Sequence, residues 1–209
     1  MVRGVVIPGV FRPRSDTRLL ARAACGEGAP ERILELCAGP AFAGITAAQR
    51  HGAHLTTVDM SRRAVLNARL NARLNGVRID ARRGDLFDAV QGELFDLILA
   101  NPPYVPSTAP GERAWDGGEN GRAVLDRICA LAPEHLEPGG TLLLVHSEVC
   151  GTRATLGAYA DRGLLADIAE RERGPLGPLL RAQRAALEAD GRLQPGQELE
   201  EVIVARGRS

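Results

Sequence analysis

Four times in its first half, this chain runs a short apolar stretch into an abrupt polar stop. Residues 32–37 end in Ala38-Gly39-Pro40, and residues 54–58 end in Asp59. A weaker stretch at 77–81 runs into Gly84-Asp85-Leu86, and residues 95–100 end in Asn101-Pro102-Pro103-Tyr104. Helical patterns separate these stretches: an Ala-rich run at 42–52, then a helix capped by Ser61 that carries Val65, Leu66, Leu70 and Leu74 on one stripe and closes at Asn75-Gly76. Strands joined by crossover helices form a mostly parallel sheet that must be covered on both faces. Ligands of such sheets bind outside the carboxyl ends of the strands. The four stops are therefore the candidate site.

The flanking regions extend this α/β pattern. Residues 1–13 read as extended, and Ser15 or Asp16 is placed to cap a helix over 17–24. Residues 105–120 are rich in Pro, Gly and charge and read as a loop, followed by a helix at 121–132 and, after Pro138-Gly139-Gly140, a strand at 141–146. A helix near 153–161, a strand near 165–171, a helix at 179–189 and a last strand at 199–205 complete the chain. No repeat, low-complexity tract or linker divides it, so the reading is one domain over residues 1–209.

The order of the stops carries chemistry. A glycine turn after the first strand, with an acid ending the second, holds a nucleoside: the backbone approaches closely and the acid accepts both ribose hydroxyls. The pattern Gly-x-Gly-x-x-Gly of a dinucleotide site is absent. Cys37, Gly39 and Gly44 do not form it, and Pro40 supplies no N–H for a pyrophosphate. A nucleoside without phosphates fits better, and S-adenosyl-L-methionine is the obvious one.

These residues resemble a known group. Residues 33–39, Asp59, Gly84-Asp85-Leu86 and Asn101-Pro102-Pro103-Tyr104 are similar to the ordered motifs of class I S-adenosylmethionine-dependent methyltransferases, and the tetrapeptide resembles that of the subset acting on exocyclic or amide nitrogens. Residues 11–20 (FRPRSDTRLL) resemble the segment that enters the cofactor site in HemK-like protein-glutamine methyltransferases, and residues 114–121 (AWDGGENG) the Asp-Gly-Gly-x-x-Gly stretch of that family. The resemblance implies a Rossmann-like, seven-stranded sheet with helices on both faces. It implies a segment 1–30 that contributes to the cofactor site and a substrate loop at 105–122. Thr17 then lies near the methionine end of the cofactor, together with Asn101. Glu35 binds its amino group or the adjacent backbone; Cys37, Gly39, Asp59 and Met60 surround the ribose side. Asp85 accepts from the adenine amine, and Leu86 packs on the ring. Pro103, Tyr104 and Trp115 contact the substrate. Cys37 and Ala41 depart from the family, standing where glycine is usual.

The tetrapeptide also has its own physical logic. An amide nitrogen is a poor nucleophile because its lone pair is delocalised. The Asn101 side-chain oxygen and the Pro102 carbonyl can each accept one N–H of an –NH₂ group, turning the lone pair towards an incoming methyl and stabilising the charge that develops. Tyr104 offers an aromatic face to a planar group. Asn101, Pro102 and Tyr104 are accordingly the catalytic candidates.

Composition narrows the alternatives. All 26 basic residues are Arg, which excludes a phosphate-loop lysine, a pyridoxal Schiff base and a kinase lysine. They balance 26 acidic residues, so bulk charge does not hold the chain on nucleic acid. Cys25, Cys37, Cys129 and Cys150 lack metal or redox spacing, as do the four histidines, and no apolar run reaches membrane-spanning length. The expected setting is the cytoplasm, without metal or membrane. The expected reaction is methylation of a glutamine side chain in a protein such as a translation release factor. The alternatives are a peptide or small molecule of specialised metabolism, or a base amine of nucleic acid. Only about thirty residues precede the first strand, which resembles the short relatives that work with a small zinc-binding activator protein.

Overall fold

The computed structural model describes residues 2–107 and 115–209. Residues 108–114 of the expected substrate loop, including Ala114, lie outside the described residues. Seven strands form one sheet: β1 (Arg32–Leu36), β2 (His54–Asp59), β3 (Ile79–Arg83), β4 (Phe95–Ala100), β5 (Leu136–Ser147), β6 (Leu165–Pro175) and β7 (Leu199–Arg208), in the order β3-β2-β1-β4-β5-β7-β6. The first five pair parallel with one another, and β7 pairs antiparallel to both β5 and β6. The order reverses beside β1, which pairs with β2 on one side and β4 on the other. The loops leaving β1 and β4 diverge there and open a crevice.

Both faces of the sheet are apolar, which is why the strands read as near-continuous hydrophobic runs rather than alternating ones. Leu34, Leu36, Ile98, Leu142 and Leu144 enter one core with α4 (Ala123–Leu131) and α5 (Thr152–Ala160). Ile33, Leu97, Leu99, Leu143 and Val145 enter the other with α1 (Ser15–Gly26), α2 (Phe42–His51) and α3 (Arg62–Leu74). Several expected boundaries move. The helix expected at 179–189 is two short ones, α6 (Pro178–Ala182) and α7 (Arg184–Ala189). Helix α1 starts two residues earlier than expected, and neither Ser15 nor Asp16 caps it. Strand β5 runs through the expected break at Pro138-Gly139-Gly140 with a register shift opposite β4.

Helix α3 corrects the sequence reading more deeply. Ser61 caps it as expected, accepting from the Ala64 amide. Its buried face is Ala64, Val65, Asn67, Ala68, Asn71 and Ala72, while Leu66, Leu70 and Leu74 are exposed. The asparagines explain the inversion. The Oδ1 atoms of Asn75, Asn71 and Asn67 accept from the amides of Arg3, Val5 and Ile7, each at 2.9 Å. In return the Nδ2 groups of Asn67 and Asn71 donate to the Val5 carbonyl, and that of Asn75 donates to the Arg3 carbonyl. Four helical residues rise about 6 Å and two extended residues about 6.6 Å, so asparagines at i, i+4 and i+8 match alternate residues of an extended segment. The extended N-terminus is thus held by side chains instead of a neighbouring strand. Asn71 also donates to the Pro40 carbonyl, tying this segment to the turn after β1.

A second device holds the backbone after β4. Val105 and Ser107 pair with Trp115 and Gly118, and Gly117 donates to the Val105 carbonyl. Gly117 and Gly121 lie so close to Tyr104 that a Cβ on either would collide with the Tyr104 backbone. The Asp-Gly-Gly-x-x-Gly stretch is therefore a backbone-to-backbone platform for the tetrapeptide. Beneath it, buried Arg122 donates to the carbonyls of Cys150 and Gly151 and to the Thr155 hydroxyl, and it pairs with Asp126. The Cys150 thiol in turn donates to the Tyr104 carbonyl at 3.0 Å. His146, bonded to Thr155 and the Ser147 carbonyl, is held neutral by burial, its pKa lowered to about 4.

Asn71→Ala removes three hydrogen bonds and orphans the buried Pro40 carbonyl. It should lower unfolding stability by about 2–3 kcal/mol and open the bonds after Arg3 and Arg14 to trypsin. An unchanged urea midpoint with unchanged cleavage would rule out the ladder.

Candidate functional site

The parallel register sets the carboxyl ends of β3, β2, β1 and β4 side by side. Asp85, Asp59, Gly39 and Asn101 follow one another along this edge of the sheet in that spatial order. The turn from β1 into α2 is tight, with the Ala41 amide donating to the Ala38 carbonyl at 2.7 Å. Cys37 and Ala41 both take left-handed backbone, at φ 51° and 59°, and Leu86 does so at 48°. Side chains at such angles are strained by about 1–3 kcal/mol and persist only where packing enforces them. The two departures from glycine thus keep the glycine conformation.

The donors of this turn already have partners. Asp59 accepts the Gly39 amide on one carboxylate oxygen and the Ser61 amide on the other, each at 2.8 Å. Buried Glu35 accepts the Gly44 amide at 3.0 Å, the adjacent-backbone role among the two expected of it. Burial pushes Glu35 up to about 8, partly offset by that hydrogen bond and reinforced by Asp59. Burial raises Asp59 too, against the two amides that lower it. With the Gly39 and Gly44 amides taken and the Asp59 carboxylate facing it, this turn is a poor cradle for phosphate. It suits hydroxyl donors and positive charge, as on the ribose and the sulfonium and ammonium of S-adenosylmethionine. Asp59 keeps lone pairs on both oxygens for such hydroxyls.

Next along the edge, Asp85 is gripped by both terminal nitrogens of Arg127, at 3.2 and 2.9 Å. Nothing in the sequence links Arg127 of α4 to the end of β3. Leu86 is buried beside the crevice, whereas Met60 is two-thirds exposed.

The tetrapeptide lies on the other side of the switch point. A cavity of about 180 Å³ opens over it, bounded by Asn101–Tyr104, by Phe11, Arg14 and Asp16 of the N-terminal segment, and by Trp115, Leu179 and Glu200. Tyr104 donates to Asp16 Oδ2 at 3.0 Å, and Asn101 Nδ2 donates to the Thr17 hydroxyl at 3.2 Å. Burial and the Asp16 charge raise the Tyr104 phenol well above its usual range, so it stays protonated. Pro103 and Trp115 line this cavity. Asp16, read from sequence as a helix cap, is here a buried acceptor at the centre of the site. Its position one residue before Thr17 was the available signal. Glu200, another buried carboxylate on the wall, accepts the Gly177 amide and had no sequence signal. Among the described residues no group of His, Cys, Asp or Glu is placed to hold a metal ion, and no helix is long and apolar enough to cross a membrane.

Residues 7–162 match the family model described as the methyltransferase small domain. A Methanocaldococcus jannaschii protein named as a protein N5-glutamine methyltransferase is 33% identical over 180 residues, covering 83% of this chain and 90% of that protein. A release factor glutamine methyltransferase of Geobacter sulfurreducens is 32% identical over 173 residues, covering 76% of this chain but 60% of its own length. Among solved structures, the E. cuniculi Mtq2–Trm112 complex, described as responsible for methylation of the termination factor eRF1, contains a chain with the same fold: TM-score 0.66, 24% identity, 96% of this chain and 98% of that one covered. With the seven-stranded sheet, the crevice and the family match in agreement, this chain belongs to the methyltransferase small domain family and is an S-adenosylmethionine-dependent N-methyltransferase.

Proposed function

We propose that the chain methylates the side-chain amide nitrogen of a glutamine in a protein, with a translation release factor as the leading acceptor. The observation that carries this reading is the placement of Asn101 and Pro102 at the base of a narrow cavity walled by Phe11, Tyr104, Trp115 and Leu179. Such a slot suits a slender planar amide. Its wall holds two carboxylates, Asp16 and Glu200, against one guanidinium, Arg14, which disfavours a phosphate backbone. The names of the relatives point the same way.

In this reading the chain acts as a single methyltransferase domain, with residues 1–30 forming part of the cofactor site. Asp59, Gly39, Cys37 and Met60 hold the ribose side, Asp85 and Leu86 the adenine, and Glu35 the methionine end. S-adenosylmethionine supplies an electrophilic methyl on a sulfonium. The Asn101 side-chain oxygen and the Pro102 carbonyl each accept one acceptor N–H, so that the nitrogen lone pair turns towards the cofactor side. Tyr104 fixes the plane of the amide. The same two oxygens stabilise positive charge on nitrogen as the bond forms, and the proton leaves afterwards to water. No strong base is required. Leu66, Leu70 and Leu74 expose an apolar stripe on α3 beside edge strand β3, and this face supports docking of a small activator protein, zinc-binding by the resemblance drawn from the sequence.

Purified protein incubated with labelled S-adenosylmethionine and the release factor of its own organism, with and without the candidate activator, should place one methyl group on a glutamine. Label entering nucleic acid or a free small molecule instead would overturn the reading. Asp59→Ala should weaken cofactor binding by roughly 2–3 kcal/mol in calorimetry, because charged hydrogen bonds are lost; unchanged affinity removes Asp59 from the site. Asn101→Ala should leave that affinity nearly intact and lower turnover roughly 10²–10³-fold. Near-normal turnover would make the tetrapeptide a structural turn only.

A further inference from the structure

Asparagine is ambiguous as a catalytic acceptor. Its side chain carries an oxygen and an NH₂ of almost the same shape, and a rotation of the terminal amide exchanges them. With the NH₂ towards the substrate, Asn101 would oppose an acceptor that itself donates N–H. Something must therefore fix which end faces the cavity.

The contacts of Asp16 decide it. Asp16 is 7% exposed, and its ionised carboxylate can only accept hydrogen bonds. Three donors converge on it: the Thr17 amide at 2.6 Å and the Thr17 hydroxyl at 3.2 Å on Oδ1, and the Tyr104 hydroxyl at 3.0 Å on Oδ2. Thr17 has a single hydroxyl proton. Directed to Asp16, that proton is unavailable to Asn101, so the Thr17 oxygen meets Asn101 as an acceptor. Asn101 must then present Nδ2, at 3.2 Å, which leaves Oδ1 for the substrate. The polarity of the whole chain follows from one carboxylate, without any choice made in assigning the amide.

We infer that Asp16 is a positioning residue that sets the orientation of the Asn101 amide through the Thr17 hydroxyl, and the Tyr104 ring through its phenol. This inference rests on the reading of Asn101 as an acceptor of substrate N–H. It gives the Thr17 hydroxyl a role towards Asn101, donating once to Asp16 and accepting once from Asn101. It also joins the two aromatic and amide contacts of the acceptor to a single buried charge, so that loss of the charge loosens both.

The test uses Thr17→Val, which keeps the shape and deletes the hydroxyl, Thr17→Ser, which restores it, and Asp16→Asn, which keeps the shape and removes the obligatory acceptor. Turnover on the release factor at saturating cofactor should fall roughly tenfold to hundredfold in Thr17→Val and Asp16→Asn, the scale of a mispositioned contact. Thr17→Ser should recover to within about threefold, a small residual loss for a correctly placed hydroxyl. Affinity for S-adenosylhomocysteine should stay within about twofold in all three, because the adenosine and ribose contacts are untouched. A rise in that dissociation constant in Thr17→Val matching the loss of turnover would make Thr17 a cofactor ligand and overturn the relay. The Asn101 side-chain NH₂ resonances, assigned by their disappearance in Asn101→Ala, supply a readout independent of any acceptor. They should shift in Thr17→Val and return in Thr17→Ser. Unmoved resonances overturn the relay, and so do shifted resonances with unchanged turnover. If the wild-type protein methylates no release factor, the acceptor assignment fails by itself, while the resonances still decide whether Thr17 holds Asn101.

Discussion

Parallel pairing of β1 with both β2 and β4 is the constraint on which the rest of this molecule depends. Parallel neighbours end at the same edge of a sheet, so each strand that stops delivers its last side chain to a common line. Residues as far apart in sequence as Gly39, Asp59, Asp85 and Asn101 meet there. The switch in strand order beside β1 then parts the loops and opens the crevice. Burial of both sheet faces keeps the strands rigid enough to hold that line.

The two halves of the site use opposite electrostatic strategies. On the side of β1 and β2, backbone amides are already taken up by Glu35 and Asp59, so the turn offers acceptors and negative potential rather than an anion cradle. On the side of β4, the polar groups are neutral amides and hydroxyls whose direction is imposed by one buried carboxylate, Asp16. The first arrangement suits a cationic nucleoside. The second suits an uncharged nitrogen that must gain charge only as it reacts, where preorganised dipoles are most effective.

Both halves are joined by the N-terminal segment, which has little secondary structure of its own. The asparagine ladder of α3 holds residues 3–7, Asn71 links them to the turn after β1, and the chain continues through Phe11 and Arg14 to Asp16 and Thr17. An extended segment without a strand partner has unpaired amides and carbonyls. Side-chain amides spaced one helical turn apart satisfy them at almost the same rise, which lets the segment cross a helix instead of joining the sheet.

The sequence by itself determined the strand ends and their order. Those features depend on local signals: apolar runs broken by Gly, Asp or Asn-Pro at crossover spacing. The resemblance to the family placed Cys37 and Ala41 where glycine is usual, and both adopt the left-handed backbone that glycine favours. Only the tertiary structure decided which face of α3 is buried. Hydrophobic periodicity pointed to the leucines, yet the alanines and asparagines face inward, because a polar face is buried cheaply when an extended segment answers each of its hydrogen bonds. Nor could periodicity show that Asp16 meets Tyr104 across 88 positions, that Arg127 grips Asp85, or that Arg122 supports the turn beneath Tyr104. These are pairings of polar groups distant in the chain, which only the fold brings within reach; around Asp16 and Arg122 it also removes water, which strengthens them.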